Sequence, residues 1–287
     1  MKYLVTSSSS LGLSLYDEES ETTIIKKIPG KLKYNNIDIY IGDYVYIEND
    51  TISRVEKRTN YISRPKISNI DFLCIIVSLK SPDLSTYLLD SFLTFANYRN
   101  IKAKIIFSKQ DLIDTKQLNI LKKDLKYYQD IGYDIYFLDN KLNAPDDFEK
   151  LAKDIENKKS AFVGQTGVGK STLLNRIDPT INRLVDSKEI VTRGRHTTKD
   201  VSLIKYSKGF IFDTPGFSSF QLSEFSEIDL SIFFPGFNKY SEKCKFVNCL
   251  HLKSTLGCNI INMINSSKLS ASSYENYLKL LTKIKEK

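Results

Sequence analysis

The stretch from residue 160 to residue 177 constrains the fold of this 287-residue chain more than any other. An apolar segment, SAFVG (160–164), runs into GQTGVGKST (164–172), and a helix-forming segment, TLLNRI (172–177), follows it. The glycine-rich part fits G-x-x-x-x-G-K-[S/T] between a strand and a helix, which is the context that identifies a phosphate-binding loop. The sequence therefore predicts an α/β fold with this loop at the carboxyl end of a strand.

The loop offers several groups that suit the phosphates of a nucleotide. Its glycines let the backbone turn with the N–H groups facing inward, and the helix that follows adds its partial positive charge. Lys170 can reach the terminal phosphates, and the hydroxyl of Ser171 can coordinate Mg²⁺. The predicted phosphate-side residues are Gly164, Gln165, Thr166, Gly167, Val168, Gly169, Lys170, Ser171 and Thr172.

A second pattern, DTPG at 213–216, follows the apolar segment GFIF. Asp213 at the end of that strand can hold Mg²⁺ through water, and the N–H of Gly216 can contact a γ-phosphate. The spacing D-x-x-G is weak by itself, but it becomes specific on a strand downstream of a phosphate loop. Both segments must then meet around one triphosphate, as in switches that a nucleotide orders.

The catalytic group is predicted in the connecting loop, RGRHTTKD at 193–200. Ras-like enzymes carry a water-orienting Gln directly after the glycine of D-x-x-G, whereas this chain has Phe217, which cannot orient water. His196 could orient or polarise the attacking water instead. The alternative is that His196 is an ordinary surface residue in a basic loop.

The same loop offers further ligands and charges. A threonine beside the histidine would complete the magnesium shell. The predicted magnesium ligands are Ser171, Thr197, Thr198 and Asp213. Arg193 and Arg195 have two open roles, since they could offset developing charge or contact RNA phosphates.

A guanine-binding pattern lies upstream of the phosphate loop, in IIFSKQDL at 105–112. Asp111 would accept two hydrogen bonds from the guanine N1–H and 2-amino groups, a pair that adenine cannot supply. Lys109 would pack its stem over the base. Ser108 stands where Asn is usual, and we expect this to remove one polar contact that braces the guanine site.

The order of these motifs is reversed relative to an ordinary GTPase, in which the guanine motif follows the phosphate loop. A parallel sheet brings the ends of its strands together in space, so chain order need not match spatial order. Circular permutation keeps such a site while it moves the termini. The order therefore predicts a circularly permuted GTPase domain.

Three cysteines and a histidine near the C-terminus form the pattern Cys244-x4-Cys249-x-His251-x6-Cys258. Three thiolates and one imidazole make a closed tetrahedral Zn²⁺ site of the structural kind. We expect no disulfides, because we place the chain in a reducing cytoplasm. The sequence therefore predicts one structural Zn²⁺ with no catalytic role.

Patterning divides the chain into three regions. Residues 1–66 alternate as short β-strands separated by turn signals, which favours a small barrel of the OB-fold type. Residues 67–220 alternate strands and helices, as in a largely parallel sheet, and residues 221–287 are helical. The strands predicted in the first region cover 22–28, 37–41, 44–48 and 51–58.

Composition excludes some classes of protein. The hydrophobic content of 41% and charged content of 26% are those of an ordinary globular chain, not of a disordered or fibrous one. No apolar run is long enough to cross a bilayer, and the first residues make a poor signal peptide. We therefore expect a cytoplasmic protein without a membrane partner, and a net charge of +8 is compatible with nucleic-acid binding without demonstrating it.

Taken together, the motifs resemble the RsgA family of circularly permuted, ribosome-assembly GTPases. The resemblance spans nearly the whole chain: a β-rich N-terminus, SKQDL, GQTGVGKSTLLN, RGRHTT, DTPGF and the Cys/His pattern. The order of the motifs is specific to permuted GTPases, and GRHTT with the Cys/His pattern narrows the resemblance to this family.

The resemblance implies an N-terminal OB-fold and a C-terminal zinc-bearing helical region that flank the GTPase domain. It also implies that the protein binds GTP or GDP, Mg²⁺ and the small ribosomal subunit with its rRNA. Family members act during late maturation of that subunit, which stimulates hydrolysis, and their proposed catalytic histidine falls on His196. We expect a monomer.

Two other functions stay open at this point. A P-loop ATPase or small-molecule kinase would have SKQD by accident and would bind ADP as well as GDP. A nucleic-acid-binding module would have an inert or purely regulatory nucleotide site. An inert nucleotide site is disfavoured, because such sites usually lose at least one of the residues that bind phosphate or Mg²⁺. This chain keeps all three, Lys170, Ser171 and Asp213.

Overall fold

The computed structural model describes residues 1–30, 37–139, 146–179, 201–214 and 225–286. The strands of the described part are β1 (Lys2–Ser9), β2 (Gly12–Tyr16), β3 (Thr23–Lys26), β4 (Tyr44–Glu48), β5 (Thr51–Val55), β6 (Tyr61–Ile62), β7 (Ile67–Ser68), β8 (Phe72–Ser78), β9 (Lys102–Ser108), β10 (Asp134–Phe137), β11 (Lys159–Val163), β12 (Ser202–Tyr206) and β13 (Gly209–Asp213).

The helices follow the same chain order, and a 3-10 turn at Gln110–Leu112 comes after β9. They are α1 (Thr86–Tyr98), α2 (Thr115–Asp130), α3 (Phe148–Ile155), α4 (Lys170–Ile177), α5 (Glu227–Phe233), α6 (Asn238–Ser241), α7 (Asn259–Asn265) and α8 (Ala271–Lys285). The alternation of strands and helices predicted after residue 67 is confirmed in the described residues.

Side-chain caps fix where the longer helices begin. Ser85 accepts a hydrogen bond from the Leu88 N–H at the start of α1, and Asp114 accepts one from Gln117 at the start of α2. Ser270 does the same for the N–H of Ser273 at the start of α8. Such caps satisfy N–H groups that have no partner inside the helix.

The chain forms two compact units. The first comprises Met1–Leu73, Glu149–Val163 and Lys170–Phe217, apart from the residues that are not described. Its strands follow the order β11-β13-β12-β1-β2-β3, and β4 pairs with both β1 and β5. Pairing is parallel between β11 and β13 and antiparallel between β12 and β13.

Within this unit, the N-terminal strands continue the sheet that contains β11 and β13. Strand β1 pairs antiparallel with β12 through Ser7 and Ser202. It also pairs antiparallel with β2 and with β4. Strands β1 and β2 are absent from the predicted set, whereas β3, β4 and β5 fall on predicted segments. The closed OB barrel stays a prediction.

The strand predicted at 37–41 is wrong. Only Ile41 makes an isolated bridge, to Ile67. The carboxylate of Asp43 accepts a hydrogen bond from the Tyr40 N–H at 2.8 Å, and the Asp43 N–H donates to the Tyr40 carbonyl at 3.1 Å. These two bonds close a turn, so the backbone at this point cannot form a regular ladder.

The second unit comprises Cys74–Phe148, Gly164–Gly169 and Ser218–Lys287, again without the undescribed residues. Its strand order is β10-β9-β8, and β10 pairs parallel with β9. The C-terminal helices share one buried cluster that includes Leu230, Phe234, Phe237, Tyr274 and Tyr277. No helix in the described part of the chain is both long and apolar enough to cross a membrane.

Candidate functional site

The phosphate loop follows β11 as a tight turn. Gly167 and Gly169 have φ angles of +82° and +94°, which L-residues with a side chain rarely adopt. A Cβ at Gly164 would lie 2.5 Å from the Ile76 carbonyl oxygen on β8 and 2.9 Å from the Val168 side chain. Glycine is therefore required at 164 for packing and at 167 and 169 for backbone conformation.

The guanine motif and the phosphate loop meet in the second unit. The hydroxyl of Ser108, which is 5% exposed, donates a hydrogen bond of 2.6 Å to the Val168 carbonyl oxygen. The ammonium of Lys109 donates to the Gly167 carbonyl oxygen at 2.6 Å and also to the Ser81 carbonyl. The end of β9 is thus bonded to the loop that precedes α4, although the two segments lie far apart in the chain.

Serine at position 108 makes a polar contact with the phosphate loop, and the loss of a contact relative to Asn stays a prediction. Its hydroxyl is the donor to the loop backbone. The sequence signal for this was present, since serine carries an O–H donor, but its acceptor is a carbonyl that no pattern identifies.

Lys109 has a left-handed backbone, with φ of +61°. This conformation is uncommon for a residue with a side chain, and it costs on the order of 1 kcal/mol. The two bonds of its ammonium hold the residue there. The turn ends β9 and begins the short 3-10 segment that contains Asp111.

The described residues that we predict to bind Mg²⁺, together with Lys170, lie in the first unit. Lys170 and Ser171 begin α4, and Asp213 is the last residue of β13. Burial lowers the pKa of Lys170, and the negative charge of Asp213 acts in the opposite direction. Ser171 and Thr172 are exposed and Asp213 is half-buried. His196, Thr197, Thr198, Gly216, Phe217, Arg193 and Arg195 lie outside the described residues.

The four predicted zinc ligands come together. One ligand atom from each of Cys244, Cys249, His251 and Cys258 lies within 4.8 Å of every other. His251 Nδ1 is 3.7 Å from Cys244 Sγ and 3.5 Å from Cys258 Sγ. A tetrahedral ion with bonds of about 2.3 Å to sulfur and about 2.0 Å to nitrogen separates these atoms by about 3.6 Å. The cluster therefore fits a tetrahedral metal ion.

The chemistry of the donor set also favours a cation. Burial is the main cause that raises the pKa of the Cys258 thiol to about 12, and its neighbours Cys249 and Cys244 contribute to the rise. Thiolates therefore repel one another at this site unless a positive charge lies between them. A metal ion supplies that charge and binds the deprotonated thiols.

The imidazole of His251 is buried and held on both sides. Burial lowers the pKa of His251 to about 4, so the ring is neutral at pH 7. Its Nε2 lies 3.2 Å from the carbonyl oxygen of Ser231 on α5, while Nδ1 faces the sulfur atoms. Tyr274 on α8 donates to the His251 carbonyl at 2.7 Å. Sequence reasoning missed both partners, because neither belongs to a metal-binding pattern.

The family model and the similar proteins carry the same description over most of the chain. The family model described as RsgA GTPase matches residues 55–223. The chain is 38% identical to the small ribosomal subunit biogenesis GTPase RsgA of Mycoplasmopsis pulmonis over 260 residues, covering 89% of this chain and 90% of the relative. It is 35% identical to the protein of the same name from Bacillus subtilis over 277 residues, with coverage of 94% and 92%.

Two solved structures have the same fold. YloQ, described as a circularly permuted GTPase, superposes with a TM-score of 0.82 at 32% identity and covers 99% of this chain and 95% of its own. YjeQ from Thermotoga maritima superposes with a TM-score of 0.84 at 28% identity, with coverage of 100% and 99%. The chain therefore belongs to the RsgA GTPase family and has the fold of a circularly permuted GTPase.

Proposed function

We propose that this protein is a GTPase that binds the small ribosomal subunit, and that the subunit stimulates hydrolysis during its late maturation. The observation that carries the nucleotide part is the bond from Ser108 Oγ to the Val168 carbonyl. It joins the guanine motif to the phosphate loop. The ribosomal part rests on family membership and on the names of the relatives.

Base selection is assigned to the residues that follow β9. Asp111 would accept hydrogen bonds from guanine N1–H and the 2-amino group, and Lys109 would cover one face of the base. The bond of Ser108 and the bonds of Lys109 hold this turn against the phosphate loop. Base and phosphates can thus be recognised together.

Phosphate binding is assigned to the backbone of 164–169 and to Lys170, Ser171 and Thr172. Ser171, Asp213 and the threonines at 197 and 198 would hold Mg²⁺, directly or through water, and the N–H of Gly216 would contact the γ-phosphate. Mg²⁺, when bound, offsets negative charge on the β- and γ-phosphate oxygens.

Hydrolysis is assigned to a water molecule that His196 orients. The water oxygen forms a bond to the γ-phosphorus, the bond from that phosphorus to the β–γ bridging oxygen breaks, and GDP and inorganic phosphate leave. Phe217 cannot take this role, because its side chain has no hydrogen-bonding group. Arg193 and Arg195 would either offset the negative charge that develops during hydrolysis or contact rRNA phosphates.

The regions that flank the nucleotide site are assigned to ribosome binding and to stabilising the fold. We propose an OB-fold in residues 1–66 that contacts rRNA, the permuted GTPase domain in 67–220, and a helical domain in 221–287 that holds one structural Zn²⁺. Cys244, Cys249, His251 and Cys258 would hold the ion, which leaves no open position for catalysis. We propose a cytoplasmic monomer.

Hydrolysis with and without purified small subunits tests the proposal. We expect slow turnover of the protein alone and a large increase when subunits are added, because switch GTPases lack part of their machinery until a partner binds. The variant His196→Ala should bind GTP and subunits normally and lose the increase. Unchanged turnover on addition of subunits would remove the ribosomal part of the proposal.

Base preference separates a GTPase from an ATPase or kinase. We expect GDP to bind much more tightly than ADP, and Asp111→Asn to shift the preference towards xanthine nucleotides, because an amide can donate a hydrogen bond to the additional xanthine carbonyl. Comparable affinities for ADP and GDP would overturn the guanine assignment.

A further inference from the structure

The C-terminal end of α5 depends on groups from outside the helix. A helix of seven residues is too short to be stable by itself, and its last carbonyl groups have no partners within the helix. The Ser231 carbonyl oxygen lies 3.2 Å from His251 Nε2, and the Phe233 carbonyl accepts a hydrogen bond of 2.8 Å from the Asn97 side chain. Two side chains therefore cap this helix end.

One of these two caps belongs to the metal cluster. His251 is 2% exposed, and its ring packs edge-on against Phe237 with 5.2 Å between the ring centroids. Its Nδ1 faces Cys244 and Cys258, while its Nε2 faces α5. The imidazole therefore bridges the four-ligand cluster and the helix.

A neutral imidazole carries one proton, which can sit on either nitrogen. Only the form with the proton on Nε2 can donate to the Ser231 carbonyl. In the other form, the Nε2 lone pair faces the carbonyl lone pairs and repels them. A metal ion on Nδ1 occupies the lone pair of that nitrogen, so the proton must lie on Nε2.

We infer that His251 is a positioning residue for α5, and that metal loading of the cluster holds this helix in place through the Nε2–H···O=C bond to Ser231. The inference rests on the proposed function for the presence of a bound Zn²⁺.

The variant His251→Cys tests this inference with the metal in place. Four thiolates also form a closed tetrahedral zinc site, but a cysteine has no second donor for Ser231. We expect one Zn²⁺ per chain, as in the wild type, together with amide hydrogen exchange about tenfold faster in α5, because a buried carbonyl is left without a partner. Exchange in α8 should not change.

Two further variants are matched controls. Asn97→Ala removes the other side-chain cap of α5 and should also speed exchange there, without altering the metal content. Tyr274→Phe removes the bond to the main-chain carbonyl of His251 and leaves the imidazole intact, so exchange in α5 should stay as in the wild type. Wild-type protection of α5 in a zinc-loaded His251→Cys protein would overturn the inference.

A second measurement stays decisive if His251→Cys fails to fold. The chain has two histidines, so a ¹⁵N-histidine-labelled His196→Ala protein reports on His251 alone. NMR should find the proton on Nε2 with zinc bound, and chelation should speed exchange in α5 more than in α8. A proton on Nδ1 in the loaded protein would refute the inference. None of these readouts involves nucleotide, so a failure of the GTPase proposal would leave them unaffected.

Discussion

At the scale of single residues, one buried hydroxyl group bonds the end of β9 to the phosphate loop. Ser108 is buried, and its bond to the Val168 carbonyl spans 60 residues of sequence. Lys109 adds its own bond to the adjacent Gly167 carbonyl. A serine reaches less far than an asparagine, so β9 and the loop must lie close together for the bond to form.

Ser108→Ala should weaken GDP binding by about tenfold, because the buried Val168 carbonyl loses its partner. Isothermal titration calorimetry with GDP measures the change. Ser91→Ala is the matched control: Ser91 is also buried, but its hydroxyl donates to the Tyr87 carbonyl one turn earlier in α1. Equal affinity of Ser108→Ala and the wild type would show that the bond does not contribute to the nucleotide site.

At the scale of elements, a buried carboxylate joins three helices of the second unit. Asp90 on α1 is fully buried and accepts hydrogen bonds from Tyr128 on α2 and from Ser273 and Asn276 on α8, at 2.8 to 3.0 Å. Burial raises the pKa of Asp90 to about 7, although all three hydrogen bonds act in the opposite direction. We therefore expect the packing of α1, α2 and α8 around Asp90 to depend on pH.

The pKa of Asp90 determines the sign of the pH dependence. An acid with a raised pKa in the folded state contributes most stability below its unfolded pKa near 3.8, and that contribution is lost as pH rises through about 7. From pH 5 to pH 8, the wild type should lose roughly 2 kcal/mol of unfolding free energy relative to Asp90→Asn. Urea unfolding of both proteins at each pH measures this difference.

Asp124→Asn provides the control, since Asp124 is exposed on α2. We expect its stability to follow that of the wild type between pH 5 and pH 8. The other titrating groups, including the Cys/His cluster, are common to all three proteins and cancel in the comparison. A constant difference between Asp90→Asn and the wild type would contradict the prediction.

At the scale of the whole molecule, the N-terminal strands are built into the first unit. Besides the pairing of β1 with β12, Lys205 on β12 donates to Tyr16 at 2.8 Å and to Glu21 at 2.7 Å. A Cβ on Gly42 would clash with the Ser68 carbonyl and lie 3.0 Å from the ring of Phe212 on β13. The described residues before position 73 and strands β12 and β13 thus share one packed structure.

Gly42→Ala should therefore destabilise the protein strongly. Gly42 has φ of +95° and no free space for a methyl group, whereas Gly132 has φ of +111° and nothing within 4 Å of a Cβ. Gly132→Ala carries only the backbone strain, of about 1 to 2 kcal/mol, and Gly42→Ala adds an overpacking cost of about 1 to 3 kcal/mol. Thermal unfolding followed by circular dichroism should give a lower Tm for Gly42→Ala; equal values would contradict the close packing.

Helices and strands were predicted correctly where the pattern of neighbouring residues in the sequence is sufficient to recognise them. The alternation of strands and helices after residue 67, which includes β8 and α2, needs only the sequence to be recognised. Strand β1 was missed because the serines at 7–9 give no apolar alternation, although Leu4 and Val5 are fully buried. The segment at 37–41 was misread because a turn closed by Asp43 interrupts its alternation.

The sequence alone determined the phosphate-loop pattern, the permuted order of the motifs and the Cys/His pattern, because each depends on residue types at fixed spacing. The tertiary structure decided which backbone groups these residues meet: the Val168 carbonyl for Ser108, the Ser231 carbonyl for His251, and β12 for β1. Every residue except proline carries the same N–H and C=O groups. No sequence pattern can therefore specify which of them becomes a partner until the chain has folded.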